Sequence, residues 1–190
     1  MSEQNQTPDT VVSGGVVVSG KGMSRRDVVI RDGLVSALVE PGEAPDAKTV
    51  IDATGRFVLP GIVDAHLHPV YTDRIDTISA SAALGGTTTL IGFIGAIKAW
   101  GGTGTIVDAV KDFIDEGQEK SMIDFSAHGS LCRDDLELLP ETIPQLIEMG
   151  VTSFKGFMAY RKRGMMLDDP ELLQALEIVA ANGGLFQVHA

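Results

Sequence analysis

From Phe57 to the last residue, short apolar runs alternate with amphipathic stretches in strict succession. That alternation limits the fold more than any composition does. Strand-like runs fall near residues 57–66, 87–95, 122–131, 152–158 and 185–189, and helical periodicity falls near 74–84, 105–119, 141–149 and 170–181. In the second helix Ile106, Val107, Val110 and Ile114 recur at helical spacing, with Asp108, Lys111, Asp112 and Asp115 turned elsewhere. The fourth helix carries Asp169 as N-cap, Pro170 at its first position and Asn182-Gly183-Gly184 as its stop, with Leu172, Leu176 and Val179 as its buried stripe. Pro144 is expected in the first turn of the third helix, where a missing N–H costs little.

Such an order demands parallel strands joined by right-handed crossovers. A doubly wound sheet and the first part of a (β/α)8 barrel both satisfy it, and the pattern alone does not separate them. The histidines do. His66, His68, His128 and His189 each fall at or near the C-terminal end of a predicted strand. In a barrel those ends converge on one mouth. A doubly wound sheet spreads some of them too far apart to share an ion.

Residues 11–56 have a different texture, rich in valine and glycine and without helical period. Val16–Val18, Asp27–Ile30, Leu34–Val39 and Thr49–Ile51 read as strands, and Asp32-Gly33 suits a type I′ hairpin turn. This segment is therefore expected to be a small β-sandwich-like module, with residues 57–190 as the α/β part. Residues 1–10 are polar, lack the basic start and apolar core of a signal peptide, and are expected to be a disordered tail.

A chain of 190 residues with 44% hydrophobic content can bury one sizeable core. Its formal charge of −11 argues against nucleic acid or an anionic membrane surface as partner, and no apolar run approaches the roughly 18–20 residues that span a bilayer. The single cysteine, Cys132, has no internal partner, so a reducing cytoplasm is expected. It reads as a small strand-end hydrophobe in place of a nucleophile.

Chemistry gathers in three stretches: Asp64-Ala65-His66-Leu67-His68, Ser153-Phe154-Lys155-Gly156-Phe157-Met158-Ala159-Tyr160, and Gln187-Val188-His189. Alternate residues of a strand share a face, so His66 and His68 point the same way, with Asp64 beside them. Two such histidines are metal ligands or simply packed side chains. His189 on a later strand favours the metal, although imidazole suits zinc, iron, cobalt and nickel alike. Lys155, between Phe154 and Phe157, either snorkels to solvent or sits in an apolar site. In the second case its amine pKa falls, and the neutral amine can take up CO2 as a carbamate, an anionic oxygen ligand. His128, also at a strand end, reads as structural or as a support behind a metal ligand, not as a ligand itself. Asp64 reads equally as an orienting partner of a metal-bound imidazole or as a helix-cap or barrel-floor hydrogen bond. The glycine pairs at 85–86 and 183–184 stop helices and precede strands, which excludes phosphate loops.

Val58–His68, Gly85-Gly86-Thr87-Thr88-Thr89, Gly150–Tyr160 and Gln187–Ala190 together resemble the cyclic-amidohydrolase branch of the amidohydrolase superfamily, in particular dihydropyrimidinases and hydantoinases. The lysine stretch is the most specific of them, and the β module at the start resembles that family's N-terminal part. The resemblance implies an α/β fold: the N-terminal part of a metal-dependent (β/α)8 TIM barrel, about five strands of it, behind the small module. It implies two divalent cations, zinc foremost. His66 and His68 would bind the more buried one, His189 the more exposed one, and Lys155 as carbamate would bridge them. A hydroxide between the metals would be the nucleophile, Tyr160 would hydrogen-bond the oxyanion, and the substrate would be a small cyclic amide such as dihydrouracil or a hydantoin.

Two features depart from the family pattern. The family barrel has eight strands, with a further histidine ligand on the sixth and an aspartate proton shuttle on the eighth, and neither lies within these residues. The isolated chain is therefore expected to be inactive, either an N-terminal fragment or one half of a barrel that a complementary chain completes. The segment between His68 and Gly85 is also short for the family, with Arg74 late for a substrate-binding arginine. Allantoinase, dihydroorotase and a non-catalytic dihydropyrimidinase-related scaffold remain alternatives, and a homo-oligomer is expected by analogy.

Overall fold

A computed structural model describes residues 7–69 and 73–190, which form two compact units, one up to Pro60 and one from Gly61. The first unit holds seven strands: β1 (Thr10–Ser13), β2 (Val16–Ser19), β3 (Gly22–Arg25), β4 (Asp27–Arg31), β5 (Leu34–Val39), β6 (Thr49–Asp52) and β7 (Phe57–Val58). They make a four-stranded sheet in the order β5-β4-β1-β6 and a three-stranded one in the order β3-β2-β7. Between β4 and β5 the two-residue turn has φ of 50° at Asp32 and 76° at Gly33, the left-handed pair that a type I′ hairpin needs.

Order begins earlier than the polar composition of the first ten residues suggests. Residues 1–6 lie outside the described residues. Pro8, however, is buried, and its carbonyl accepts from Lys48 N; the Asp9 carbonyl accepts from Thr49 N, and Thr10 already belongs to β1. Backbone pairing with β6 outweighs the polarity of the side chains.

The second unit contains β8 (Ile62–Leu67), α1 (Ile75–Leu84), β9 (Thr87–Ile94), α2 (Ile106–Lys120), β10 (Asp124–Ser130), α3 (Leu139–Glu148), β11 (Ser153–Phe157), α4 (Asp169–Ala181) and β12 (Leu185–His189). The five strands lie side by side in chain order, all parallel. A doubly wound sheet reverses its strand order at a switch point; this one never does. Each helix packs against the next, α1 on α2, α2 on α3 and α3 on α4. The architecture is a mixed α/β unit built on a singly wound parallel sheet.

Side-chain alternation divides the sheet into two faces. Leu90, Ile94, Ala127, Leu131 and Phe154 point to the helices and join Ile106, Val110, Ile143, Leu146, Ala175 and Val179 in the main core. Thr105 and Asp108 form a reciprocal capping box at the start of α2. No helix among the described residues is long and apolar enough to cross a membrane.

Four details differ from the sequence reading. The run 57–66 is not one strand: Pro60 supplies no N–H, β7 ends at Val58, and β8 starts at Ile62. A side chain at Gly61 would also meet Thr88 Oγ1 at 2.0 Å. Helix α3 starts at Leu139, because a 3-10 turn over Arg133–Leu138 runs directly into it, which leaves Pro144 in the interior and not in the first turn. Asp168, not Asp169, caps α4, accepting from and donating to Glu171 in a capping box. On α4 the stripe is Leu172, Ala175 and Val179, while Leu176 turns outward.

Candidate functional site

On the face turned away from the helices, Phe93 of β9 is the hub. His66 meets its ring edge-on at a centroid distance of 4.8 Å, His68 stacks on it at 5.2 Å and His128 stacks at 4.7 Å. Lys155 Nζ stands 4.1 Å from the same ring centre. The imidazoles of His66 and His68 are themselves 5.4 Å apart, as the shared strand face requires. Nζ also lies 5.6 Å from the Phe157 ring, which leads to a second group: His189 is 5.7 Å from Phe157, and Tyr160 is 5.1 Å from His189. His66, Lys155 and His189 thus share one face of the sheet, with His68 just beyond the end of β8, while Tyr160 reaches His189 from the loop after β11.

Lys155 is only 4% exposed and, among the described residues, has no carboxylate partner. Two effects compete at its nitrogen. The aromatic face attracts an ammonium, by about 0.5–2 kcal/mol; loss of water opposes the charge. Burial wins, and the amine is held below the ordinary lysine range. His68 is likewise pushed down, first by burial and then by the charges of Lys155, His66 and His189, so its neutral, lone-pair-bearing form is favoured.

Among the described residues, no group of three or more His, Cys, Asp or Glu side chains is arranged to hold a metal ion. Lys155, which is of none of those types, stands on the same Phe93 ring as His66 and His68. An unmodified amine is a poor neighbour for a cation, whereas its carbamate is an oxygen donor, and with it two imidazoles, an anionic oxygen and a third imidazole fit divalent metals.

His128 is buried, and both ring nitrogens are engaged. Nε2–H donates to the Ala65 carbonyl at 3.1 Å, and Nδ1 accepts from the Ser153 hydroxyl and, at 3.3 Å, from the Gln187 amide. Burial pushes its pKa down, in keeping with a neutral ring. Asp64 Oδ1 accepts from His66 N at 3.0 Å, a backbone bond. Tyr160 sits where the chain leaves β11, with φ 64° and ψ 36°, and opens the 3-10 turn Arg161–Arg163. Arg163 lies over its ring at 5.5 Å.

Ile97, Cys132, Phe157 and Met165, with Trp100 against them, form a separate small apolar cluster. Its member Cys132 has its thiol pushed up to about 12 by burial and by Asp135 and Asp134, which suits a packing role. A cavity of about 260 Å³ lies between Pro69, Arg74, Ile75, Phe113 and Glu116 and takes in none of His66, His68, Lys155 and His189. Phe93 escaped the sequence reading: it lies inside a continuous apolar run and carries no polar atom to mark it.

No family model matches the chain. Individual proteins do. It is 38% identical over 197 residues to a D-hydantoinase of Streptomyces coelicolor, covering 95% of this chain and 40% of that protein. Over 187 residues it is 32% identical to a dihydropyrimidinase of Arabidopsis thaliana, at 95% and 34% coverage. Among solved structures, an L-hydantoinase (dihydropyrimidinase) of Arthrobacter aurescens superimposes with a TM-score of 0.81 at 32% identity, over 97% of this chain and 41% of that one. This chain belongs to the cyclic-amidohydrolase branch of the amidohydrolase superfamily. It spans about 40% of the length of the hydantoinases that it matches. For a member of this branch, the cluster on Phe93 is the place to look for the chemistry.

Proposed function

We propose that the protein opens the ring of a small cyclic amide or imide, of hydantoin or dihydropyrimidine type, by adding water across a ring C–N bond. The observation that carries this reading is Lys155, buried against Phe93 beside His66 and His68 with, among the described residues, no acid to pair it. A buried, unpaired ammonium opposes folding; a neutral amine there reacts with CO2, the nitrogen forming a bond to carbon and releasing one proton. His66, His68, Lys155 as carbamate and His189 would then hold two divalent cations, zinc foremost. Bound there, the cations would supply Lewis acidity and make water a competent nucleophile near neutral pH.

The chain's own residues do the rest. The imidazoles of His66 and His68 would present their nitrogen lone pairs to the metal, His68 being held toward its neutral form by burial, and Phe93 packs against one side of both. Tyr160 donates its phenolic hydrogen bond to the carbonyl oxygen of the ring as negative charge builds on it. Ile62 and Val63 on β8, and Leu185 and Val188 on β12, are exposed on the outermost strands of the sheet. Apolar outer strands of this kind invite pairing, and we assign their cover to the remaining β/α units of a (β/α)8 barrel, supplied by the same polypeptide or by a complementary chain. Residues 1–190 by themselves are expected to be inactive, and the assembled enzyme to be a cytoplasmic homo-oligomer.

The deciding assay offers dihydrouracil, hydantoin, allantoin and dihydroorotate to the protein as its source produces it, with zinc and with a chelator. Ring opening of dihydrouracil or hydantoin, abolished by chelation and by Lys155→Ala, is the expected result. Preference for allantoin or dihydroorotate would move the substrate and keep the site. A stable protein that binds zinc and opens none of the four rings would mark a scaffold, a reading that the buried lysine and intact histidines oppose.

A further inference from the structure

We propose that His128 is a positioning residue: it holds the peptide unit between Ala65 and His66, and so sets how tightly His66 and His68 grip their metal. The inference rests on the reading of those two histidines as ligands and adds to it a residue outside the ligand set.

One imidazole reaches every strand of the sheet. His128 stands on β10, donates from Nε2 to Ala65 O on β8, stacks on Phe93 of β9, accepts at Nδ1 from Ser153 on β11 and meets the Gln187 amide of β12. Three of these contacts, to Phe93, Ser153 and Gln187, serve a packed core as well as a site. The bond to Ala65 is different, because of what the backbone does there. Pairing between β8 and β9 slips in register between Asp64 and Leu67, the stretch that carries the first ligand. At that slip the regular ladder no longer dictates the backbone.

Two side chains take over. The N–H of the 65–66 peptide donates to the Asp64 carboxylate at 3.0 Å, and its C=O accepts from His128 at 3.1 Å. A peptide unit is planar, so holding both its N–H and its C=O fixes the plane. The plane in turn fixes the direction in which the His66 side chain leaves the strand. A ligand free to tilt costs metal affinity, and outer groups that orient ligands are worth about 10–100-fold in binding. Sequence alone points to none of this, since a backbone carbonyl carries no residue label.

The test compares His128→Gln, His128→Asn and His128→Phe in the protein as its source produces it, stripped of metal and titrated with cobalt(II) against a competing chelator. The visible spectrum of the cobalt site and the thermal midpoint of the metal-free protein are read alongside. A glutamine amide nitrogen can stand near the place of Nε2; asparagine is too short, and phenylalanine keeps the ring and stack without the donor. Expected is a loss of about tenfold or more in cobalt affinity for Phe and Asn, with an altered spectrum, and recovery to within about threefold for Gln. Wild-type affinity in His128→Phe overturns the proposal. So do equal losses in all three variants that follow their thermal midpoints, since that is the mark of packing alone. If the Phe variant does not fold, the order of Gln against Asn decides, and equal affinities overturn the proposal. Wild-type protein whose cobalt uptake is absent, or is unchanged by His68→Ala, overturns the metal reading itself, and that control separates the two failures.

Discussion

Asp27 in the β module and Lys155 in the parallel sheet are both buried charges, 1% and 4% exposed, and they are treated in opposite ways. The Asp27 carboxylate accepts from Gly14 N and Gly42 N, each at 2.9 Å, and these backbone bonds hold its pKa below the ordinary aspartate range. Its surroundings are built for the charge. Around Lys155 there are aromatic rings, and its pKa is shifted by burial alone, away from the charged form. A saturated buried charge is a structural fixture. An unsatisfied one marks a candidate site, and the contrast singles out Lys155 without reference to any relative.

The sharpest way to break the comparison is Lys155→Met. In the protein as its source produces it, the proposed ring-opening activity should fall by about 10³-fold or more, since the variant removes the side chain proposed to bridge the metals. The metal-free protein should melt at the same temperature or higher, because an apolar side chain replaces a buried unpaired amine. A lower melting temperature would place Lys155 with Asp27, as a structural group. Next comes Tyr160→Phe, expected to lower kcat by about 10²-fold with KM little changed, as for removal of one oxyanion donor; a change confined to KM would move Tyr160 to substrate binding.

Asp27→Asn should do the reverse of Lys155→Met. One amide oxygen cannot serve both glycine N–H groups, and its NH2 would face a donor, so stability should drop by about 1–3 kcal/mol while activity per folded molecule holds. The pH dependence follows from the sign of the shift. A carboxyl lowered in the folded state, against about 3.9 when unfolded, contributes stability that is complete above that value and is lost as pH falls through the lowered one. Acid unfolding curves of Asp27→Asn should therefore lose part of their slope below about pH 4. Smallest of all is Cys132, a third buried titratable group. With its thiol pushed up to about 12, alkylation of the native protein at neutral pH should be negligible, and Cys132→Ala should keep full activity.

The periodic features were readable in advance because they are local. Strand alternation placed His66 and His68 together, Asp32-Gly33 announced its own turn, and the alternation of strands and helices constrained the topology. Lys155 was readable as an oddity, a charge between two phenylalanines, but its burial depends on Phe93, a residue 62 positions earlier. Phe93 and the tie from His128 to Ala65 O were invisible for related reasons: an apolar side chain in an apolar run and a peptide carbonyl carry no signal in the sequence. Helix starts slipped by one or two residues where caps and 3-10 turns offered neighbouring choices, as at Asp168 and Leu139.

Tyr160 has a consequence of another kind. Its left-handed backbone costs a residue with a Cβ about 1–2 kcal/mol, which glycine, and in part asparagine, would avoid. Random substitution at this position is therefore biased downhill, toward residues that relax the turn and carry no phenol. A lineage with no need for the hydroxyl would drift out of tyrosine readily, and one that keeps it does so against a standing slope. On the proposed oxyanion role, then, the residue at 160 would serve as a tally of use: tyrosine would mark chains under demand for the phenol, and glycine those released from it.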